Sequence, residues 1–312
     1  MEFSLTPALI TRVLLDKLSE SIESSERYVY LCCHNTCSMK TLKNHVILYD
    51  SECPMCTVYT HVFTSTGMLD KEGRAPYQDM PSFACPVVDR QRAVNEIALV
   101  DTVTGEVNYG IESLFKVIGH SFPVFSPLFS FPPFVWLMRK LYAFISYNRK
   151  VIIPAPKTAA HTLQPSFNLR HRVLWLLFTV GFVGFVLTRY AGLLKGILPL
   201  GSPYREYLIA GSQVLFQGLI VSLFAPAKRW DYLGNMMTIS LAGALLLLPL
   251  MAIGAVTHLS SFVAAGYFLV VAALMLLEHI RRAKLLSLGW GLTFSWVVYR
   301  VLVLLVIFMY FD

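Results

Sequence analysis

From Arg172 onward the chain is dominated by apolar stretches too long for the core of an ordinary globular domain, which commits this half to bilayer-crossing helices. Lipid offers the backbone no hydrogen-bond partner, so a spanning segment must satisfy its own N–H and C=O groups. Five segments qualify, over approximately 173–188, 207–224, 233–256, 262–277 and 285–311. Across the chain 55% of residues are hydrophobic and 14% charged.

The charges assign sides. Residues 1–157 hold 15 Lys plus Arg against 15 Asp plus Glu, so the formal charge of +7 arises from 11 against 4 in residues 158–312. Those basic residues flank spans: Arg170 and Arg172 before the first, Lys228 and Arg229 after the second, Arg281, Arg282 and Lys284 after the fourth. The basic balance therefore points to a lipid bilayer as partner and not to nucleic acid. By the positive-inside rule the first half faces the cytoplasm and the C-terminus lies across the membrane. A bacterial-type inner membrane is the expected location.

The first half carries the chemistry. Cys53-Pro54-Met55-Cys56 directly follows the apolar run Val46-Ile47-Leu48-Tyr49-Asp50, which reads as a buried strand leading into a helix. Such a turn places Cys53 at a helix N-terminus, where unpaired N–H groups and the helix dipole favour a thiolate. Pro54 suits the first helical position, and Cys56 lies one turn on, within reach to resolve a mixed disulfide. The alternative is half of a zinc site, for which Cys32, Cys33, His34, Cys37 and Cys85 are the available further ligands; the strand-turn-helix context favours redox chemistry. Asp50 is either a proton acceptor for Cys56 or a strand-end carboxylate that caps the turn.

The string Tyr49-Asp50-x-x-Cys53-Pro54-x-Cys56 resembles the signature of the DCC family of predicted thiol-disulfide oxidoreductases. The likeness continues through a strand pair at 96–101 and 106–109, the glycine-led segment Gly110-Ile111-Glu112-Ser113-Leu114-Phe115, and a closing helix at 141–149 that ends in Asn148-Arg149. It covers roughly 44–152. The resemblance implies a thioredoxin-like fold, with Cys53 and Cys56 as the redox pair, Asp50 beside them and no cofactor beyond the two cysteines. One departure concerns the proline that such folds place opposite the dithiol: only Pro81 or Pro86 could reach that place, and by a longer path.

A dithiol facing the cytoplasm meets a reducing pool, so reduction of a substrate, either a disulfide-bearing protein or a small thiol compound, is the expected direction. All six cysteines lie between positions 32 and 85. The spans therefore hold none, and electron transfer across the bilayer would need a quinone, a haem or a partner. Within the spans, Gln213 and Gln217 share a helical face and Arg300 lies near the middle of the fifth. Arg300 either holds a small acidic or quinone-like ligand, with Gln217, or packs against backbone carbonyls or a carboxylate such as Glu206. Glu278 and His279 read as the solvated edge of a cytoplasmic turn. His171 and His258 fall on opposite sides, which leaves a paired-histidine haem site without support.

The Phe- and Pro-rich run 122–136 is not one regular element. It either rests in the headgroup layer or packs around the closing helix. The expected organisation is an N-terminal extension at 1–38, an α+β thioredoxin-like domain at 39–152, a linker at 153–172 and an all-α bundle of about five helices at 173–312. Leu5, Leu9, Val13, Leu14, Leu18 and Ile22 give the extension an amphipathic pattern, while Met39 stands as an alternative chain start, so the Cys32-Cys33-His34-x-x-Cys37 cluster is kept out of the site. The functional expectation is a membrane-anchored thiol-disulfide oxidoreductase. The competing expectations are a transporter or sensor whose bundle binds the ligand under thiol control, and a thioredoxin-like scaffold that recruits a partner.

Overall fold

The computed structural model describes residues 39–80, 84, 87–154, 166–199 and 201–310. The N-terminal extension, with its three cysteines, and Pro81, Cys85 and Pro86 lie outside the described residues.

The first half is a four-stranded sheet clasped by helices. Strand β1 (His45–Tyr49) leads through helix α1 (Pro54–Ser65) to β2 (Arg74–Pro76), followed by the short helix α2 (Arg90–Asn95) and the strands β3 (Ala98–Asp101) and β4 (Val107–Tyr109). The spatial order is β2-β1-β3-β4. β1 runs parallel to β2 and antiparallel to β3, with Ile47 opposite Leu99 and Leu48 opposite Ala98; β4 is antiparallel to β3. Alternation along the strands buries both faces. Ile47 and Leu99 pack with Phe63 of α1 and Val117 of α3 (Ile111–Ser121), while Leu48, Ala98 and Val100 pack with Ala93 and Val94 of α2.

Gly110 caps α3 at φ +62°, ψ −132°, a conformation that only glycine adopts cheaply. A 3₁₀ turn at Pro123–Phe125 and the single-turn helix α4 (Ser126–Phe129) follow, so the aromatic run is broken as its prolines require. Phe129 stacks on Phe115 of α3 with ring centroids 4.3 Å apart, whereas Val124, Phe131 and Trp136 stay exposed. The closing helix α5 spans Pro132–Ile152, much longer than its nine-residue signature.

Five helices of the second half are long and apolar enough to cross a membrane. They are α6 (Leu169–Ala191), α7 (Arg205–Phe224), α8 (Arg229–Val256), α9 (Ser261–Leu285) and α10 (Gly291–Tyr310). The expected fifth span began too early: Leu285 ends α9, and a turn with Ser287 and Gly289 at positive φ separates the two helices. The first began too late, since Asn168 caps α6 through His171 N–H and brings Arg170 and Arg172 into the helix. α6 lies centrally, against α5, α7 and α8. Gly184 lets Tyr207 of α7 pack onto the α6 backbone; a Cβ there would stand 2.5 Å from the ring.

The two halves are joined by polar contacts at one end of the bundle. Asn148 Nδ2 of α5 donates to the carbonyls of Phe144 and His171. Arg282 near the end of α9 donates to the carbonyls of Val151 and Ile152 at 2.6 and 3.3 Å and to Asn235 Oδ1. Arg172 donates to Trp230 C=O at 2.8 Å. The start of α6, the start of α8 and the end of α9 therefore share the side that carries the sheet domain, as the charge pattern requires.

Candidate active site

β1 ends at Tyr49, and the chain turns through Asp50. Its carboxylate accepts from Glu52 N–H at 3.1 Å, and its carbonyl accepts from Cys53 N–H. This turn delivers Cys53 as the cap of α1, with Pro54 at the first helical position. The Cys53 sulfur accepts the Cys56 N–H at 3.4 Å, so the two cysteines sit on the same helical turn as unbonded thiols. Both are buried, 6% and 3% exposed.

The thiols are electrostatically unequal. A hydrogen bond from the Cys56 thiol, aided by Arg149 and by the Cys56 N–H, lowers Cys53 to about 7 against the opposition of burial and Asp50. The same bond, burial and proximity to Cys53 raise Cys56 far above an ordinary thiol. The Tyr59 hydroxyl, one turn further along α1, also bonds to Cys56. Cys53 is thus the thiol that ionises first and Cys56 the one that keeps its proton.

Arg149, from the last turn of α5, completes the site. Its Nη2 donates to Asp50 Oδ2 at 2.7 Å and to Val94 C=O at 2.7 Å. Gln78 Nε2 donates to the other oxygen, Asp50 Oδ1, at 2.9 Å, and Gln78 Oε1 accepts from Ser51 N–H. Asp50 therefore does cap its turn, and it also forms a buried ion pair. The terminal Asn148-Arg149 pair was visible in the sequence, but nothing there showed which distant carboxylate Arg149 meets.

A cavity of about 120 Å³ opens beside Cys53. Asp50, Cys53 and Arg149 form one wall, and Asp231, Asn235 and Arg282 from the bundle form the other. The route to the nucleophile thus runs between the two halves of the chain.

Elsewhere the expectations fare differently. Glu278 bonds to Arg281 and Arg282, but His279 is not solvated: it is 2% exposed, bonded to Tyr232 and Thr293 and stacked on Trp296. Gln217 accepts from Tyr232 and Ser295 and so belongs to this network. Glu206 pairs with Arg205, leaving Arg300 to stack on Trp296 at 4.6 Å. Among the described residues no group of three or more His, Cys, Asp or Glu side chains gathers as a metal site. Comparison with protein-family models, with curated proteins and with solved structures returns no match to this chain.

Proposed function

We propose that the chain is a membrane-anchored thiol-disulfide oxidoreductase of the thioredoxin-like, DCC type that reduces a disulfide at the cytoplasmic face of a bacterial-type inner membrane. The carrying observation is the inequality of the dithiol: a helix-capping Cys53 lowered into the neutral range beside a Cys56 held as thiol. The sheet order β2-β1-β3-β4, with the dithiol between the parallel strands, supports the fold assignment.

The Cys53 thiolate attacks one sulfur of the substrate disulfide, forming a mixed disulfide and expelling the other sulfur as a thiolate. Cys56 then loses its proton, with Asp50 as acceptor, and attacks the Cys53 sulfur. The Cys53–Cys56 disulfide closes, the second substrate sulfur leaves as thiolate, and two electrons have passed to the substrate. A cytoplasmic thiol reductant returns the pair to its starting state. The 120 Å³ cavity favours a small disulfide over the face of a folded protein.

Incubation of the full chain with a small disulfide tests the reading. Cys53→Ser should abolish exchange, and Cys56→Ser should accumulate a mixed disulfide on Cys53, identified by mass spectrometry; turnover unchanged in either variant removes the assignment.

A second reading, a transporter or sensor under thiol control, draws on the wall that α8 and α9 give the Cys53 cavity. It requires ligand binding or flux that survives both cysteine substitutions but loses its redox response.

A further inference from the structure

The bundle encloses a mainly apolar cavity of its own, away from the dithiol, to which all five spanning helices contribute and in which Gln213, Ser240 and Arg300 are the polar side chains. It is lined by Val183 of α6, Gln213 of α7, Ser240 of α8, Met275 of α9 and Arg300 of α10 and measures about 40 Å³. Arg300 lies midway along α10, at the depth where a charge is most expensive in a bilayer. Among the described residues no carboxylate pairs with it. Its guanidinium lies over the face of Trp296, and its Nε is buried without an acceptor. Gln213, only 4% exposed, likewise leaves its Nε2 without an acceptor. The Ser240 hydroxyl is turned away, donating to Met236 C=O.

The wall thus offers donors in excess and a positive charge without a counter-charge. A guanidinium donates only, and the unsatisfied atom of Gln213 is a donor as well. A water molecule could accept from both of them but would leave the charge uncompensated, whereas an anion meets both deficits. Volume restricts its identity. A single water needs about 10–15 Å³ and a benzene-sized cavity is about 150 Å³, so a space of 40 Å³ admits a few heavy atoms and no ring. We propose that the centre of the bundle is a binding site for a small monovalent anion of the size of chloride or formate, held by Arg300 and Gln213. Of the two ligand classes that the sequence offers for Arg300, this takes the small acidic one and not the quinone-like one, and it sets Gln213 beside Arg300 because Gln213, unlike Gln217, lines the cavity.

The test is thermal unfolding of the full chain in lipid nanodiscs, titrated with sodium chloride or sodium formate against sodium gluconate at equal ionic strength. A bound anion stabilises the folded state in proportion to its occupancy, so Tm should rise saturably with chloride or formate and not with gluconate. Arg300→Gln should abolish the rise, and Gln213→Leu should weaken the half-saturating concentration at least tenfold while leaving the charge in place. If Arg300→Gln does not fold, Gln213→Leu carries the comparison alone. Equal Tm in all three salts, or a saturable rise unchanged in Gln213→Leu, overturns the proposal.

Discussion

Arg149 and Asp50, 99 residues apart in sequence, meet at 2.7 Å in a buried ion pair beside the dithiol, each about 5% exposed. The last turn of α5 thereby closes the site that β1 and α1 open. The pair acts on Cys53 with opposite signs, because the guanidinium favours the thiolate and the carboxylate disfavours it.

Alkylation of Cys53, followed by peptide mapping against pH, should show a midpoint near 7, with Cys56 unreactive over the same range. A lowered pKa means the thiolate is already present where an ordinary thiol is protonated, so the rate rises as pH climbs through about 7. By the same linkage the reduced chain draws stability from Cys53 above the ordinary thiol range and loses it as pH falls through about 7. Cys56→Ala, which removes the largest favourable contribution, should move the midpoint upward.

Arg149→Met and Asp50→Asn should shift that midpoint in opposite directions, up for the first and down for the second. Equal midpoints in both variants would show that the ion pair is structural alone.

Arg149→Met should also cost about 3–5 kcal/mol of stability, since it leaves the Asp50 carboxylate buried without its counter-charge. Adding Asp50→Leu should recover part of that loss, a non-additivity that a double-mutant cycle by chemical denaturation measures.

His279→Ala should lower stability by about 1–3 kcal/mol, because it strands the Thr293 hydroxyl and removes one partner of Tyr232 within the bundle. Thermal unfolding in nanodiscs reads this directly, and a solvated His279 would give no change.

Gly110→Ala should cost about 1–3 kcal/mol, since the site demands positive φ and the added methyl would stand 3.1 Å from Glu96 Oε2. The loss should appear in equilibrium unfolding with the Cys53 titration unchanged.

Local signals were legible in the sequence and distant meetings were not. The strand before Cys53, Pro54 opening a helix and the five spans each follow from patterns within one segment, while the β3–β4 pair came with the family likeness. Arg149 reaching Asp50 requires the last turn of α5 to land between the end of β1 and the end of α2, and periodicity says nothing about where a helix end lands. His279 misled for the same reason: beside Glu278, Arg281 and Arg282 it reads as solvated, but its ring lies on the face of α9 that meets α10. The distinction between Gln213 and Gln217 was equally hidden, because a shared helical face does not say which neighbour each side chain finds.

The guanidinium of Arg282 rests on the last carbonyls of α5, where a helix end otherwise looks for water or a cap. Heritable recombination between the two halves is constrained by that contact. A sheet domain grafted onto a foreign membrane segment would lose the group that terminates its closing helix, and the orphaned bundle would be left with an arginine that has lost two acceptors and the helix end lying against it. The two parts of this chain are thus expected to travel through evolution together, as a single inherited unit.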